Sequence, residues 1–443
     1  MDDYRRIADE LAAAIADGRL RPGEQLPTQR AFARRHGIAA STAGRVYREL
    51  VRRQLVVGEV GRGTFVRAGR DGADPRIALA EPAAAAVDLE LNYPVVPEQS
   101  ALLAAGLAPL LRPDALDAAL RPVGAAGTPA ARRAFAELLG GGVPPERLLF
   151  AGSGRQLLAA ALGALVPPGR RLGVEELTYP VVKAVAGRLG ITLVPLAIDA
   201  HGVLPEALAA AHRAAPLHAV YLQPRLQNPL GGTLPPERRE QLADTLRKSE
   251  LPVVEDAIWS FLRPEAAPLA ALLPECTVLV DSLSKRLAPG LAAGFAVVPE
   301  ALRERVGSAL RSGGWGPSGF ALEAAVRWIG DGTVAAVARA KRADAAQRQL
   351  LAKELLPERG VRADPCSYYL WWELPAGWRA ETFVAAAARQ GIAITPAEAF
   401  AADPRTTPNA VRIGLASPPP AALGAALRTL AAIAAGEPGA VLG

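Results

Sequence analysis

The sequence contains few of the residues that bind metals or form disulfide bonds. Its 443 residues include two cysteines, Cys276 and Cys366, and four histidines. The cysteines are too few and too far apart for a disulfide framework or a zinc knuckle, and the histidines show no ligand spacing. We therefore expect no metal catalysis.

Long hydrophobic runs are also missing. Half of the residues are hydrophobic, but every stretch of about eighteen is interrupted by a charge, a proline or a glycine. The first residues, Met1 to Arg6, do not form a signal-peptide pattern. We expect a cytoplasmic protein of two or three domains with a substantial core.

Lysine is scarce, because only five of the 50 basic residues are lysines. One of them, Lys285, follows the apolar run Thr277–Val280 within the sequence Asp281-Ser282-Leu283-Ser284-Lys285. A lysine amine can form a Schiff base, whereas a guanidinium cannot. The position favours the end of a buried strand, where α/β sheets bind ligands, although a solvated surface lysine would show the same local pattern.

The excess positive charge lies in the first seventy residues. They contain fourteen arginines and eight acidic residues, whereas basic and acidic residues are equal in number in the remainder. A basic module attached to a neutral body indicates a nucleic-acid-binding head, since phosphate neutralisation supplies most non-specific affinity.

Residues 1–67 show the pattern of a winged helix-turn-helix domain. Helical spacing over 4–16, 28–36 and 40–54 is followed by a hairpin over 56–66. The third helix would present a polar face to a DNA groove, flanked by two further arginines. The predicted DNA-binding residues are Arg30, Ser41, Thr42, Arg45, Arg48 and Arg62. The alternative is a helical head with no role in DNA binding.

This head resembles the GntR-type winged helix. The resemblance is carried by the run Gly18 to Arg30, by Ser41-Thr42, and by Gly61-Arg62-Gly63-Thr64-Phe65-Val66. It implies a DNA-binding domain over nearly all of residues 3–67.

Residues 68–87 form a predicted linker, and residues 88–443 a predicted effector domain. The linker shows no sustained amphipathic pattern. Beyond it, helical segments alternate with short apolar runs, which predicts an α/β fold with a mostly parallel sheet and helices on both faces. The residues from Ala335 onward predict a smaller C-terminal α+β lobe.

Four motifs fall at the ends of predicted strands. Gly152-Ser153-Gly154-Arg155 leads into a helix whose amide groups suit a phosphate, although an ordinary turn fits as well. Tyr179 suits stacking on a flat ring, or a half-buried loop position. Asn228, before a proline, offers an amide or marks a turn. Asp256 is placed to meet a protonated pyridine nitrogen, or to cap the next segment.

In this order along the chain, the motifs resemble fold-type I pyridoxal-phosphate (PLP) enzymes of the aminotransferase kind, over about residues 88–435. The resemblance implies that Lys285 forms the Schiff base, that Asp256 pairs with the ring nitrogen and that Asn228 binds the ring hydroxyl oxygen. Tyr179 would stack on the ring, and Arg412 would bind an amino-acid carboxylate. The implied phosphate ligands are Ser153, Gly154, Arg155 and Ser282.

The sequence departs from that family at two points. Where a tyrosine usually follows the aspartate, this chain has Ala257, Ile258 and Trp259. Where an arginine usually grips the phosphate, it has Ala292 and Ala293, so Arg286 or Arg155 would have to substitute. Both departures favour binding over turnover.

A winged helix joined to an aminotransferase-like body resembles the MocR/GabR-type subfamily of GntR transcription regulators. This implies a homodimer on double-stranded operator DNA, regulated by PLP or by its aldimine with an amino compound. Two alternatives remain open at this point. One is a working aminotransferase with an accessory DNA-binding head, and the other is a regulator of this family that has lost PLP.

Overall fold

The structure is a computed structural model that describes residues 3–17, 19–20, 24–53, 55–59, 63–66, 85–291 and 293–436. Nearly all of the predicted linker and the wing tip with Arg62 lie outside the described residues. Among the described residues, no helix combines the length and apolar character that a membrane span needs.

In its described residues, the head contains the three predicted helices and the two predicted antiparallel strands, and a third short strand that was not predicted joins their sheet. The helices are α1 (Asp3–Ala16), α2 (Gln29–His36) and α3 (Ala40–Arg52), and the strands are β1 (Gln25–Leu26), β2 (Val56–Glu59) and β3 (Gly63–Val66). Thr28 accepts a hydrogen bond from the backbone of Ala31 and caps α2, while Gly37 ends that helix in the left-handed conformation. Val46 and Leu50 of α3 are buried in the head core.

A seven-stranded sheet forms the centre of the body. In spatial order it consists of β5 (Leu148–Ala151), β13 (Gly294–Val297), β12 (Thr277–Ser282), β11 (Val253–Asp256), β10 (Ala219–Leu222), β6 (Arg171–Glu175) and β7 (Thr192–Leu196). The five strands from β12 to β7 are parallel, and β13 runs antiparallel to both of its neighbours. A mostly parallel sheet is therefore confirmed. Most residues of these strands are apolar, as expected for a sheet that is covered by helices on both faces.

The helices of the large lobe connect and cover these strands. They are α4 (Gln99–Leu107), α5 (Pro113–Ala119), α6 (Pro129–Leu138), α7 (Gly154–Leu165), α8 (Pro180–Leu189), α9 (Pro205–Ala214), α10 (Pro236–Lys248), α11 (Leu283–Arg286), α12 (Glu300–Ser312) and α13 (Gly319–Gly330). The short strands β8 (Ile198–Asp199) and β9 (Gly202–Val203) form a hairpin after β7.

The smaller C-terminal lobe is built on a four-stranded antiparallel sheet. Its strands are β14 (Val361–Ala363), β15 (Tyr369–Glu373), β17 (Thr395–Pro396) and β18 (Ala410–Gly414), and its helices are α14 (Thr333–Leu355), α15 (Ala380–Arg389) and α16 (Pro420–Ala435).

The first described segment of the body crosses this smaller lobe. β4 (Val87–Asp88) pairs in parallel with β16 (Ile392–Ala393), so Val87 lies in a strand at the end of the predicted linker. The Leu89 carbonyl then accepts a hydrogen bond from Gly414, where a Cβ atom would lie 2.8 Å from that oxygen. The close approach allows residues 89–93 to reach the carboxyl edge of the large sheet.

Candidate functional site

Lys285 lies where the sequence predicts, just after the buried strand β12. Its amine donates a hydrogen bond to the Asn92 carbonyl oxygen at 2.5 Å. The same nitrogen is 4.2 Å from the ring centroid of Tyr93 and 5.5 Å from that of Trp259. The amine is thus held between two aromatic rings at the end of the sheet.

The surroundings of Lys285 disfavour its protonated form. Burial lowers the pKa of the Lys285 amine well below its usual value, and the positive charges of Arg155, Arg412 and Lys341 lower it further. An unprotonated amine is the form that attacks a carbonyl group. Lys285 therefore loses its proton more readily than an ordinary lysine, which favours a role as a nucleophile.

The Asp256 carboxylate ends strand β11 inside the protein. Its Oδ2 accepts hydrogen bonds from the Tyr221 hydroxyl at 2.8 Å and from Gln223 Nε2 at 3.0 Å, and its Oδ1 accepts one from the Ile258 amide at 3.1 Å. Burial raises the pKa of Asp256 to about 6, although the bond from Tyr221 opposes this rise. A carboxylate offers about four lone-pair positions, so one remains for a further donor.

The amino end of helix α7 faces the same cavity. Ser153 caps this helix by accepting a hydrogen bond from the Gln156 amide at 3.3 Å. Gly294 allows β13 to pass beside it, since a Cβ atom there would lie 2.4 Å from the Ser153 carbonyl carbon. Arg155 interacts with the side chains of Tyr179 and Tyr93, which raise the pKa of its guanidinium. The free amides of the first turn and this guanidinium form an anion-binding combination.

Arg412, on β18, reaches the cavity from the smaller lobe. Its Nη2 donates hydrogen bonds to the Glu90 carbonyl oxygen and to Thr395 Oγ1. Burial lowers the pKa of Arg412 to about 10, so the group stays charged at neutral pH. Its Nε has no hydrogen-bond partner among the described residues. A ligand carboxylate would supply that partner.

Most of the predicted cofactor residues line one cavity of about 280 Å³. They are Ser153, Gly154, Arg155, Tyr179, Asn228, Asp256, Lys285 and Arg412. Asn228 Oδ1 is buried without a hydrogen-bond partner among the described residues, as is Nδ2 of the neighbouring Asn92. The cavity therefore combines an amine, a buried carboxylate, an anion-binding helix end and unsatisfied polar atoms.

Two predicted ligands, Ser282 and Arg286, do not line this cavity. The Ser282 hydroxyl caps α11 by accepting a hydrogen bond from the Ser284 amide. Arg286 is buried in an ion pair with Asp281 at 2.8 Å. Ala293, which occupies a place where related enzymes have arginine, is buried in an apolar cluster. Arg155 is therefore the arginine available at the helix end.

Several residues of the site escaped the sequence analysis, among them Asn92, Tyr93, Tyr221 and Gln223. Asn92 and Tyr93 come from the segment after β4, which carries no recognisable motif. Tyr221 and Gln223 flank the end of β10, and their spacing of two places both side chains on one face of a strand. That alternation was the signal that could have connected them with Asp256.

The donor set of the cavity fits PLP. The Lys285 amine would bind the aldehyde carbon, and the free lone pair of Asp256 would meet a protonated ring nitrogen. The α7 amides and Arg155 would hold the phosphate, the Asn228 amide would meet the ring oxygen, and the Tyr179 ring lines the same cavity.

The head presents the predicted DNA-binding residues on α2 and α3. Ser41, Arg45 and Arg48 are exposed on α3, with Thr42 half-buried beside them. Their spacing of four and three residues places the first three on one face of the helix. Arg30 is exposed at the start of α2, and the Arg45 guanidinium lies 4.1 Å from the ring centroid of Tyr4.

Comparison with known protein families identifies both parts of the chain. Residues 120–430 match the model for aminotransferase class I and II, and residues 3–66 match the model for bacterial regulatory proteins of the gntR family. The chain belongs to the aminotransferase class I and II family. With its gntR-family head, it is a MocR-type GntR transcription regulator.

Several curated relatives of this MocR-type regulator are named as HTH-type transcriptional regulators. The uncharacterized HTH-type transcriptional regulator YdeF of Bacillus subtilis is 27% identical over 421 residues, which cover 94% of this chain and 90% of that protein. The HTH-type transcriptional regulator TauR of Rhodobacter capsulatus is 27% identical, with coverage of 94% and 93%. The HTH-type pyridoxine biosynthesis transcriptional regulator PdxR of Corynebacterium glutamicum is 26% identical, with coverage of 66% and 65%.

Solved structures similar to the body of this regulator are aminotransferases. The α-aminoadipate aminotransferase LysN of Thermus thermophilus, solved with N-(5'-phosphopyridoxyl)-L-leucine, gives a TM-score of 0.72 at 24% identity and covers 82% of this chain and 95% of its own. The kynurenine aminotransferase of Pyrococcus horikoshii gives 0.73 at 22% identity, with coverage of 81% and 93%. These similarities establish the aminotransferase fold of the body.

Proposed function

We propose that this regulator binds PLP at Lys285 and that bound PLP, alone or joined to an amino compound, changes its affinity for operator DNA. The observation that carries the proposal is the convergence of Lys285, Asp256 and the α7 amino end on one cavity. The relative named for pyridoxine biosynthesis supports a vitamin B6 signal. The residues proposed to contact DNA are Arg30, Ser41, Thr42, Arg45, Arg48 and Arg62.

Each residue of the cavity has a defined task in this proposal. PLP supplies an aldehyde that captures amines and a ring that withdraws electrons. Lys285 provides the amine that holds the aldehyde, and Asp256 holds a proton on the ring nitrogen. Arg412 orients an amino compound through its carboxylate. Tyr93 and Trp259 exclude water around the Lys285 amine.

The active form is proposed to be a homodimer on paired DNA half-sites. A two-fold symmetric pair of winged helices would match a palindromic operator. Regulation requires PLP to bind two arrangements of the heads with different affinity, because a ligand with equal affinity for both shifts neither.

An aminotransferase activity is the second candidate function. It is favoured by Lys285, Asp256 and Arg412, which line the same cavity. It is disfavoured by the residues that follow Asp256. Ile258 and Trp259 line the cavity there, where related enzymes usually have a tyrosine hydroxyl. Arg286, committed to Asp281, also leaves the phosphate with fewer cationic ligands.

Visible absorption spectroscopy tests the PLP half of the proposal. Wild-type protein mixed with PLP should develop the absorption band of protein-bound PLP, because the Lys285 amine lines the cavity and burial lowers its pKa. Lys285→Ala should not develop it, and the exposed Lys353→Ala should behave as wild type.

Absence of the band in the wild type would leave a regulator that has lost PLP. Steady conversion of an amino acid and a keto acid at about 1 s⁻¹ or faster would instead support the aminotransferase.

A further inference from the structure

Lys341, near the middle of α14, is the only lysine of the described residues whose side chain is fully enclosed. Its amine donates a hydrogen bond to the carbonyl oxygen of Lys285 at 2.9 Å and another to that of Leu287. The two lysines are 56 residues apart in sequence. The smaller lobe's long helix therefore touches the backbone that carries the Lys285 amine.

Those two carbonyl groups lie at the end of a helix of only one turn. α11 spans Leu283–Arg286, and Leu287 continues its hydrogen bonding to Leu283 at 2.7 Å. The last carbonyl groups of a helix have no partner within it, and a lysine side chain can supply one. Ser282 caps the other end through the Ser284 amide. The turn is thus fixed at both ends by side chains.

We propose that Lys341 is a positioning residue for Lys285, because it anchors the carbonyl end of the one-turn helix from which the Lys285 amine reaches the cavity. The proposal rests on the proposed function of Lys285 as the PLP-binding amine. It assigns a role to a lysine that does not itself line the cavity.

Lys341 also acts on Lys285 through its charge. Burial lowers the pKa of Lys341 to about 7, and the nearby Asp344 opposes this shift. Below about pH 7 the positive charge of Lys341 adds to those of Arg155 and Arg412, and all three disfavour protonation of Lys285. The carboxylates of Asp256 and Asp281 also line the cavity and carry the opposite charge when ionised. Above that pH the neutral amine still donates its two hydrogen bonds. The hydrogen-bonding effect therefore spans the whole pH range, and the electrostatic effect is confined to its lower part.

Reductive labelling of the full-length protein separates these effects. Lys285 would be labelled with PLP or with acetaldehyde in the presence of cyanoborohydride, and the modified peptide quantified from pH 5 to 9. Lys341→Met should slow labelling of Lys285 by both aldehydes about tenfold near pH 6, the factor that one pKa unit gives. The pH midpoint of Lys285 labelling should move upward in this variant, because a positive charge near the Lys285 amine is lost.

Lys353→Met is the matched control, since Lys353 lies on the same helix and is exposed. It should label as wild type. Lys341→Gln keeps a donor without a charge, so it should show the upward midpoint shift but a rate closer to wild type above pH 7. If Lys341→Met fails to fold, this variant carries the test.

A reduced melting temperature with an unchanged labelling rate and an unchanged pH midpoint in both variants would overturn the proposal, because it would show only a packing role. The test remains valid if PLP binding itself fails. In that case PLP would not label the wild type, whereas acetaldehyde would still report any difference between wild type and the Lys341 variants.

Discussion

Three lysines of this arginine-rich chain, one buried and two partly buried, share one type of contact. Each donates hydrogen bonds to backbone carbonyl groups. Lys183 donates to Glu398 and Ala399, and Lys285 donates to Asn92. Lys341 donates to Lys285 and Leu287. A compact ammonium group on a flexible stem suits such narrow sites better than a planar guanidinium. The scarcity of lysine in the sequence therefore indicates a chemical requirement at these positions.

The Tyr221 hydroxyl opposes protonation of the buried Asp256 carboxylate. This hydroxyl stabilises the carboxylate form, and burial keeps its own pKa well above 10, so it remains a donor. PLP binding should weaken in the wild type as the pH falls through about 6, where Asp256 gains a proton. Tyr221→Phe should raise that midpoint and weaken PLP binding about tenfold at pH 7.

Absorbance titrations with PLP between pH 5 and 8 would check this effect. Tyr47→Phe is a suitable control, because Tyr47 is a buried tyrosine that donates to the Pro27 carbonyl in the head. An unchanged midpoint in Tyr221→Phe would remove Asp256 ionisation from the control of PLP affinity.

At the scale of secondary-structure elements, sequence periodicity predicted the helices and strands that are long or strongly apolar. The alternation of helical segments and short apolar runs in the body agrees with the observed sheet and its helices, and the predicted helix over 28–36 agrees with α2. The four-residue strand β13, Gly294–Val297, was missed, although Pro289-Gly290 and Pro299 flank it as turn signals. Its antiparallel position between β12 and β5 depends on contacts distant in sequence.

The candidate site was predictable only where a motif marks it. Lys285 and Asp256 follow apolar strands, so the topology of a parallel sheet brings them to the same edge. Arg286 is different, because nothing in its local sequence shows that its guanidinium turns away from the cavity to Asp281. Asn92 and Tyr93 reach the cavity only because the segment after β4 crosses the smaller lobe.

The prediction for DNA recognition concerns helix α3, which presents Arg45 on its exposed face. Arg45→Ala should weaken specific operator binding by about 1–3 kcal/mol if Arg45 contacts a guanine, whereas Arg19→Ala should have a smaller effect common to all sequences. Arg19 is exposed outside α3 and is paired with Asp17. Fluorescence anisotropy with operator and scrambled DNA measures both effects. Equal loss on both DNAs would place Arg45 on the phosphate backbone.

At the scale of the whole molecule, the regulator joins a basic head to a body with an aminotransferase fold. The sequence departs from aminotransferases after Asp256 and after Lys285, whereas the residues proposed to capture PLP line one cavity. An allosteric regulator needs this capture and a differential effect on DNA binding, typically about 1–3 kcal/mol of coupling.

The most direct measurement is a titration of the wild-type protein on DNA from its own upstream region, with and without PLP. We predict that PLP changes the operator affinity about fivefold or more, and that Lys285→Ala shows the same affinity in both conditions. Operator affinity that is identical with and without PLP in the wild type would contradict the account.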